Sequence, residues 1–388
     1  MNRTRLGLWT ACAIVLAGVL WLVGLALGPS TKQHWLFFSK GAEWYCDYRM
    51  PRNCAEAECV YWPDLENRLD ACYPPIAYDL VRLFPRDIQK GGLIFSLFGG
   101  IVSLAGLLVL IRAIFGTDPK ERVTRVAAFL SVALGYPFLF ALNVSNQMLL
   151  AAAGVFVFMS SLGEDKGRTL RTVGLIGLSL SIALKITPGL FTMLLLKDRK
   201  WKDFVVVGIL SSSLIFVPFL WHGGWTAFRG FLECLQLHAD MAGIRDYWGA
   251  VGVDRAIRLA LGMDIESVRA SYCISRALNV LCGVGCLAIL FFESSRMRSV
   301  VLLSVALMLL PGASFAYTGM LLVPAYLLWI SEACISTRNL LVALAWIAVF
   351  ASLQIPVGGG AVNRALAAIA VVFLVACDGR SNKETCLE

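Results

Sequence analysis

From Leu6 to Leu27 the chain carries no charged side chain, and comparable apolar runs recur along most of its length. A run of about 20 apolar residues is what an α-helix needs to cross the hydrocarbon core of a bilayer. Backbone N–H and C=O groups find no water there, so such a run satisfies them internally as a helix. Of 388 residues, 58% are hydrophobic and 15% charged, against roughly 25% charged in a soluble domain. The mean hydropathy is +0.73. A water-soluble core cannot absorb that much apolar surface. The fold class is therefore an all-α polytopic membrane protein, with one integral membrane domain over 1–388. The net charge of +8 implies no nucleic acid, because Lys and Arg gather on the cytoplasmic side of membrane proteins.

The apolar runs predict helices near 6–27, 92–115, 126–142, 147–162, 204–221, 271–292, 298–312, 317–331, 340–356 and 363–377. The first has the basic start of a signal peptide, but it is long for one and no A-x-A site follows, so it is read as an uncleaved helix starting in the cytoplasm. The stretch TVGLIGLSLSIALKITPGLFTMLLL is interrupted by Lys185 and Pro188 and flanked by basic GEDKGRTLR and KDRKWKD. It is one kinked helix or a there-and-back pair. The pair places both basic flanks in the cytoplasm, and backbone freed at Pro188 must then line a cavity or be buried in protein. With a similar split near PGASFAY, the expected bundle has about 12 transmembrane helices with both termini cytoplasmic.

This topology leaves two segments outside, 28–91 and 222–270. The first holds WYCDYRMPRNCAEAEC and four cysteines, Cys46, Cys54, Cys59 and Cys72. In an oxidising compartment these read as two disulfides stapling the loop, with the pairing open. A metal site is the rival reading, but the cysteines lack a CxxC pair and a nearby histidine. No metal is expected. Tyr73-Pro74-Pro75 gives a rigid entry to a short helix on which Ile76, Leu80, Leu83 and Phe84 share helical spacing, suited to the membrane surface or to a wall over an embedded site. Composition selects none of the loop carboxylates Glu43, Asp47, Glu56, Glu58, Asp64, Glu66, Asp70, Asp79 and Asp87. The second segment opens on amphipathic WTAFRGFLECLQLH and carries His222 and His238, read as structural or solvated groups, and Arg245, Arg255 and Arg258, read as a solvated face or lipid-head contacts.

Several short patterns then occur in a telling order: Asp47 followed by MPR, Tyr73-Pro74-Pro75, PFLFAL with Asn146, Ala183-Leu184-Lys185 with Pro188, and the turn KDRKWKD. In this order the chain resembles the polyprenyl-phosphate-sugar-dependent glycosyltransferases of the GT-C fold, and within them glycosyltransferase family 87, over about residues 6–225. Two departures stand out. PGASFAYTGMLLVPA lacks the histidines relatives often carry there, keeping only Ser314, Phe315 and Tyr317, and NVSN keeps only Asn146 of the usual link.

The resemblance implies an integral membrane glycosyltransferase. It would move a hexose, mannose by default, from a polyprenyl-phosphate sugar to the hydroxyl of a glycolipid or glycan acceptor on the extracytoplasmic face, with inversion. Membrane lipids are its surroundings and no cofactor is implied beyond the lipid-linked donor. A hydroxyl is a poor nucleophile, so a carboxylate must take its proton; Asp47 is the best match, with Asp64 and Asp70 as alternates. A lysine at the bilayer centre costs about 3 kcal/mol, so Lys185 either binds the leaving phosphate or snorkels to the interface. Arg49 and Arg52 bind phosphate or hold the loop by salt bridges. Asn146 and Tyr73 are the remaining candidates for the substrate, although Asn143 and Asn146 are also placed to cap the next helix. The expected setting is a bacterial cell membrane. A secondary transporter would suit the broken helices and buried lysine, but no paired repeat is present. A non-enzymatic envelope assembly protein would explain the loop but leaves Lys185 without a role.

Overall fold

In the computed structural model, residues 5–27, 45–56, 61, 73–163, 166–244, 268–311, 316–333, 335–351 and 371 are described, and everything regular among them is helical. The helices are α1 Arg5–Leu27, α2 Cys46–Glu56, α3 Pro75–Arg82, α4 Ile88–Phe115, α5 Arg122–Ala133, α6 Tyr136–Val144, α7 Met148–Ser161, α8 Arg168–Leu184, α9 Thr192–Lys197, α10 Trp201–Phe216, α11 Gly224–Ile244, α12 Val268–Phe292, α13 Arg296–Leu309, α14 Val323–Glu332 and α15 Thr337–Phe350. The chain divides into two compact units. One comprises 1–39, 110–139 and 246–388; the other comprises 40–109 and 140–245.

Among the described residues three helices are long and apolar enough to span a bilayer: Arg5–Val23, Ile88–Phe115 and Trp201–Leu220. A fourth candidate is the pair Pro119–Ala133 and Tyr136–Val144, bent by 42°. The single helix expected over 126–142 is thus two. Gly135 sits at the break, where Leu134 and Gly135 close the end of α5 with bonds to Leu130 O and Val132 O. The expected last helix near 363–377 lies, but for residue 371, outside the described residues.

In the first unit α1 packs against α5, α14 and α15. Two glycines permit this: a Cβ on Gly7 would lie 2.6 Å from Ile330 O, and one on Gly18 would lie 2.7 Å from Leu134. Tyr326 is stacked on Phe350, with ring centres 4.7 Å apart, and donates its hydroxyl to Ser131 Oγ at 3.0 Å. α12 and α13 form a hairpin whose turn is capped by Ser295, with Arg298 3.7 Å from Glu293.

The second unit is organised by α7, apolar on every side and almost entirely buried, as expected of a helix enclosed by protein. Its chief partner is α8. Gly154 lies so close to α8 that a Cβ there would stand 2.2 Å from Gly177 O, and Ser181 Oγ donates across to Ala151 O at 2.7 Å. Small residues let two helices approach to backbone contact, the usual basis of tight packing in membranes. α8 then stops at Leu184. Lys185 is extended (φ −145, ψ 121), and a tight 3-10 turn, Thr187–Phe191, leads into α9. The cause is Pro188, which has no N–H to donate to the preceding turn. The interruption expected at KITP is present as a broken helix. The basic turn that follows is tied down by Lys200 Nζ donating to Leu162 O (3.0 Å) and by the Arg171–Asp203 ion pair (2.6 Å).

Candidate active site

The segment around Asp47, expected on the outer side, is a helix, which its polarity and its internal Pro51 hid from periodicity. α2 is seated on the start of α4. Tyr45, at φ +58, donates its N–H to Asn143 O at 3.1 Å, and Tyr48 donates its hydroxyl to Pro85 O at 2.7 Å. A Cβ on Gly91 would lie 2.3 Å from the Tyr48 hydroxyl, and one on Gly92 2.5 Å from the Tyr45 ring. The glycine pair is what lets both tyrosines approach the α4 backbone so closely. α2 and α3 then exchange arginines: buried Arg52 donates to Val81 O (3.2 Å), and Arg82 donates to Ala55 O (2.9 Å). Of the two arginines expected at phosphate or in the loop scaffold, Arg52 thus makes a scaffold contact and Arg49 is exposed.

α3 is present where YPP pointed, but the buried face is Pro75, Ala77, Tyr78 and Val81. Leu83, placed on the apolar stripe by spacing, is 80% exposed. Tyr78 explains the rotation. Its ring meets Tyr61 and Tyr73 edge-on, joining an aromatic core with Phe219 and Phe231 that also holds Cys54 and Cys234. A tyrosine that finds a place for both ring and hydroxyl outweighs a leucine in deciding which side turns inward.

Asp47 lies in the first turn of α2, where the positive end of the helix dipole favours a carboxylate. Its Oδ2 accepts a short hydrogen bond from Asn146 Nδ2, and Cys46 Sγ lies 3.7 Å from its Oδ1. Asn146 belongs to the link between α6 and α7, in which Ser145, Asn146 and Gln147 are all fully buried. Ser145, at φ +56, donates to Gly92 O at 3.0 Å and lies 2.6 Å from Ser96 Oγ. Asn146 Oδ1 accepts the Met148 N–H at 2.7 Å, so the expected helix-capping role is present as well. Burial pushes the Asp47 carboxyl above the ordinary carboxylate range; the Asn146 hydrogen bond and the positive charge of Lys185 pull it part of the way back.

Lys185 holds its Nζ 5.8 Å from the centre of the Tyr73 ring, within cation–π range. Tyr73 is fixed in turn by the Tyr61 hydroxyl on its carbonyl (2.8 Å). Four of the expected residues, Asp47, Asn146, Lys185 and Tyr73, are therefore linked pairwise by a hydrogen bond, a charge attraction and a ring contact. Asp64, Asp70, Cys59 and Cys72 lie outside the described residues, as do Ser314, Phe315, Arg245, Arg255 and Arg258. Tyr317 is buried. Among the described residues no disulfide is found. Cys46 and Cys54 are eight positions apart on α2, about 12 Å along a helix axis. That is beyond the reach of a disulfide, which removes one of the three pairings.

One cluster went unread. Asp79 on α3 accepts from His222 Nε2 (2.9 Å), from Trp221 Nε1 (3.1 Å) and from Arg82 (3.3 Å). His222 and Asp79 are 143 positions apart, and no local pattern reveals such a pair. Among the described residues no group of His, Cys, Asp or Glu is arranged to hold a metal ion.

Comparison with known families matches the chain to glycosyltransferase family 87 over residues 72–313. The match reaches further along the chain than the expected 6–225 and starts later. It contains Tyr73, Asn146 and Lys185, while Asp47 and its helix precede it. No curated protein and no solved structure matches the chain. With apolar spanning helices and a family match over more than half its length, the chain belongs to glycosyltransferase family 87 and is a membrane glycosyltransferase.

Proposed function

We propose that the protein transfers a hexose, mannose by default, from a polyprenyl-phosphate sugar to a hydroxyl of a glycolipid or glycan, with Asp47 as general base. The observation that carries this reading is a half-buried carboxylate, hydrogen-bonded by Asn146 and within electrostatic reach of Lys185. The acceptor hydroxyl gives its proton to Asp47 as its oxygen bonds to the anomeric carbon. The bond from that carbon to the phosphate oxygen breaks, and the polyprenyl phosphate leaves with the electron pair. Attack opposite the leaving group inverts the anomeric centre. Lys185 offsets the charge growing on the departing phosphate, a role that preorganised cations fill well in water-poor sites. Tyr73 beside it suits a sugar face or holds the lysine in place.

In this reading the site faces away from the cytoplasm of a bacterial cell, about 12 helices cross the membrane, and both termini are inside, as the basic turns suggest. The loop cysteines then meet an oxidising compartment.

The test is transfer of radiolabelled mannose from polyprenyl-phosphate mannose to membrane lipid extract, with purified wild type and Asp47→Asn side by side. Transfer by the wild type and at least a 100-fold loss in a folded mutant is the expected result, in the range removed with a general base. Equal activity in both would reject Asp47 as the base and leave Asp64 and Asp70 to be tried. No transfer by the wild type with any lipid-linked sugar would reject the donor class.

A further inference from the structure

Asn146 occupies an unusual position. It is fully buried in a link of three consecutive buried polar residues, and both ends of its amide are committed. Its Oδ1 receives the Met148 N–H at 2.7 Å. That bond decides the orientation of the group, because a backbone N–H can only be met by the oxygen. Nδ2 is thereby turned toward Asp47, whose Oδ2 accepts from it. The link itself cannot swing. Ser145 is anchored to Gly92 O and sits against Ser96, and the Asn146 N–H is bonded to Ala141 O at 2.9 Å. On the other side of the bond, Tyr45 fixes the entry to α2 through Asn143 O. Donor and acceptor are 99 positions apart in the chain, yet each is braced within a few residues of their contact.

We propose that Asn146 is a positioning residue for the transfer reaction: it occupies Oδ2 of Asp47 and thereby assigns Oδ1 as the oxygen that accepts the acceptor's proton. This deepens the function proposed above and rests on it. A carboxylate with two equivalent oxygens can rotate and offer either lone-pair direction; one oxygen tied to a fixed amide leaves the other in a single orientation. The thiol of Cys46, at 3.7 Å from Oδ1, is a weak partner that an incoming hydroxyl displaces easily. The amide donates more strongly to the ionised carboxylate than to the neutral acid, so it also favours the form able to act as a base.

Asn146→Asp separates this role from helix capping. A carboxylate at 146 still accepts the Met148 N–H, so the cap survives, but it has no N–H for Asp47. The expected result is a folded protein whose kcat falls about 100-fold at neutral pH. The acid limb of its pH–rate profile moves to higher pH, and its KM for the lipid donor stays within about threefold of the wild type. Activity within a few-fold of wild type, or a loss confined to KM with the limb unmoved, overturns the proposal. A second readout needs no turnover. Dicyclohexylcarbodiimide reacts with protonated buried carboxyls, and the pH midpoint of Asp47 labelling, followed by mass spectrometry, should rise by about one unit or more in Asn146→Asp and in Asn146→Ala. An unchanged midpoint overturns the positioning role whatever the transfer assay gives. A wild type inactive with every lipid-linked sugar, but with the midpoint shift present, counts against the reaction class alone.

Discussion

Asp47 is held in conflict between two demands. Burial favours its neutral form, while the proposed role as general base needs the charged one. Because the folded state raises its pKa, the acid limb of the pH–rate profile is expected above the ordinary carboxylate value of about 4, with activity rising as the group ionises. The same shift fixes a sign for stability. The folded protein binds this proton more tightly than the unfolded chain, so the contribution is full below the unfolded pKa and is lost as pH rises through the folded one. Asp47→Asn, which carries no charge and can still accept from Asn146, should therefore melt above wild type at neutral pH. The gap should close below about pH 4. Calorimetry in detergent at the two pH values checks this; a mutant that melts lower at neutral pH would contradict it. At this scale the sequence was half legible. Lys185 stood out because a charge in an apolar run is costly. The partnership of Asp47 with Asn146 did not, because a contact across 99 positions leaves no periodic trace.

Helices carry the site by standing close to one another. Lys185 is placed by the end of α8, and α8 is placed by its backbone contact with α7 at Gly154. Gly154→Ala should push the two helices apart and cost about 1–3 kcal/mol, as overpacking does. It should also lower transfer by displacing Lys185. Gly208→Ala on α10, where an added Cβ meets nothing within 4 Å, is the matched control and should be neutral or slightly stabilising. A second element-scale device is Asp79, which joins α3 to the start of α11 through His222 and Trp221. His222→Ala and Asp79→Ala should each lower stability by about 1–3 kcal/mol, the cost of an abandoned buried partner. The double mutant should lose less than the sum, since the two share one interaction; full additivity in thermal melts would show that they act apart. The elements also mark where reading by pattern fails. Apolar runs located α1, α4 and α10 within a few residues, and Pro188 located the break. α2 was missed because it is short, polar on average and carries Pro51 inside it. On α3 the spacing chose Leu83 over Tyr78, since helical periodicity registers apolarity and not the joint demands of a ring and its hydroxyl.

Across the whole molecule, α4 has 28 residues, about 42 Å of helix, against a hydrocarbon core of about 30 Å. It is long enough for both its ends to reach water. With the site on the outer face, cysteines introduced at Arg86 and at Lys120 should differ: an impermeant maleimide added to intact cells should label the first, and the second only after permeabilisation. The opposite pattern would place the site in the cytoplasm and exclude a donor presented outside. The class of the molecule was its most legible property, because a bilayer imposes a length and a polarity that no soluble fold shares. The family match added the reaction type from 72 onward, the part of the chain that contains the Ser145–Gln147 link but not the helix that link serves. This has a consequence for anyone building hybrids of such enzymes. The cysteine-rich outer loop looks like an exchangeable cassette, free to be cut at its ends and grafted onto a sister protein. On the role proposed for Asn146 it is not self-sufficient, for half of the hardware that aims its aspartate is bolted to the membrane bundle. A loop transplanted without the residues at 145–147, or a bundle that receives a foreign loop, would lose the hydrogen bond between Asn146 and Asp47.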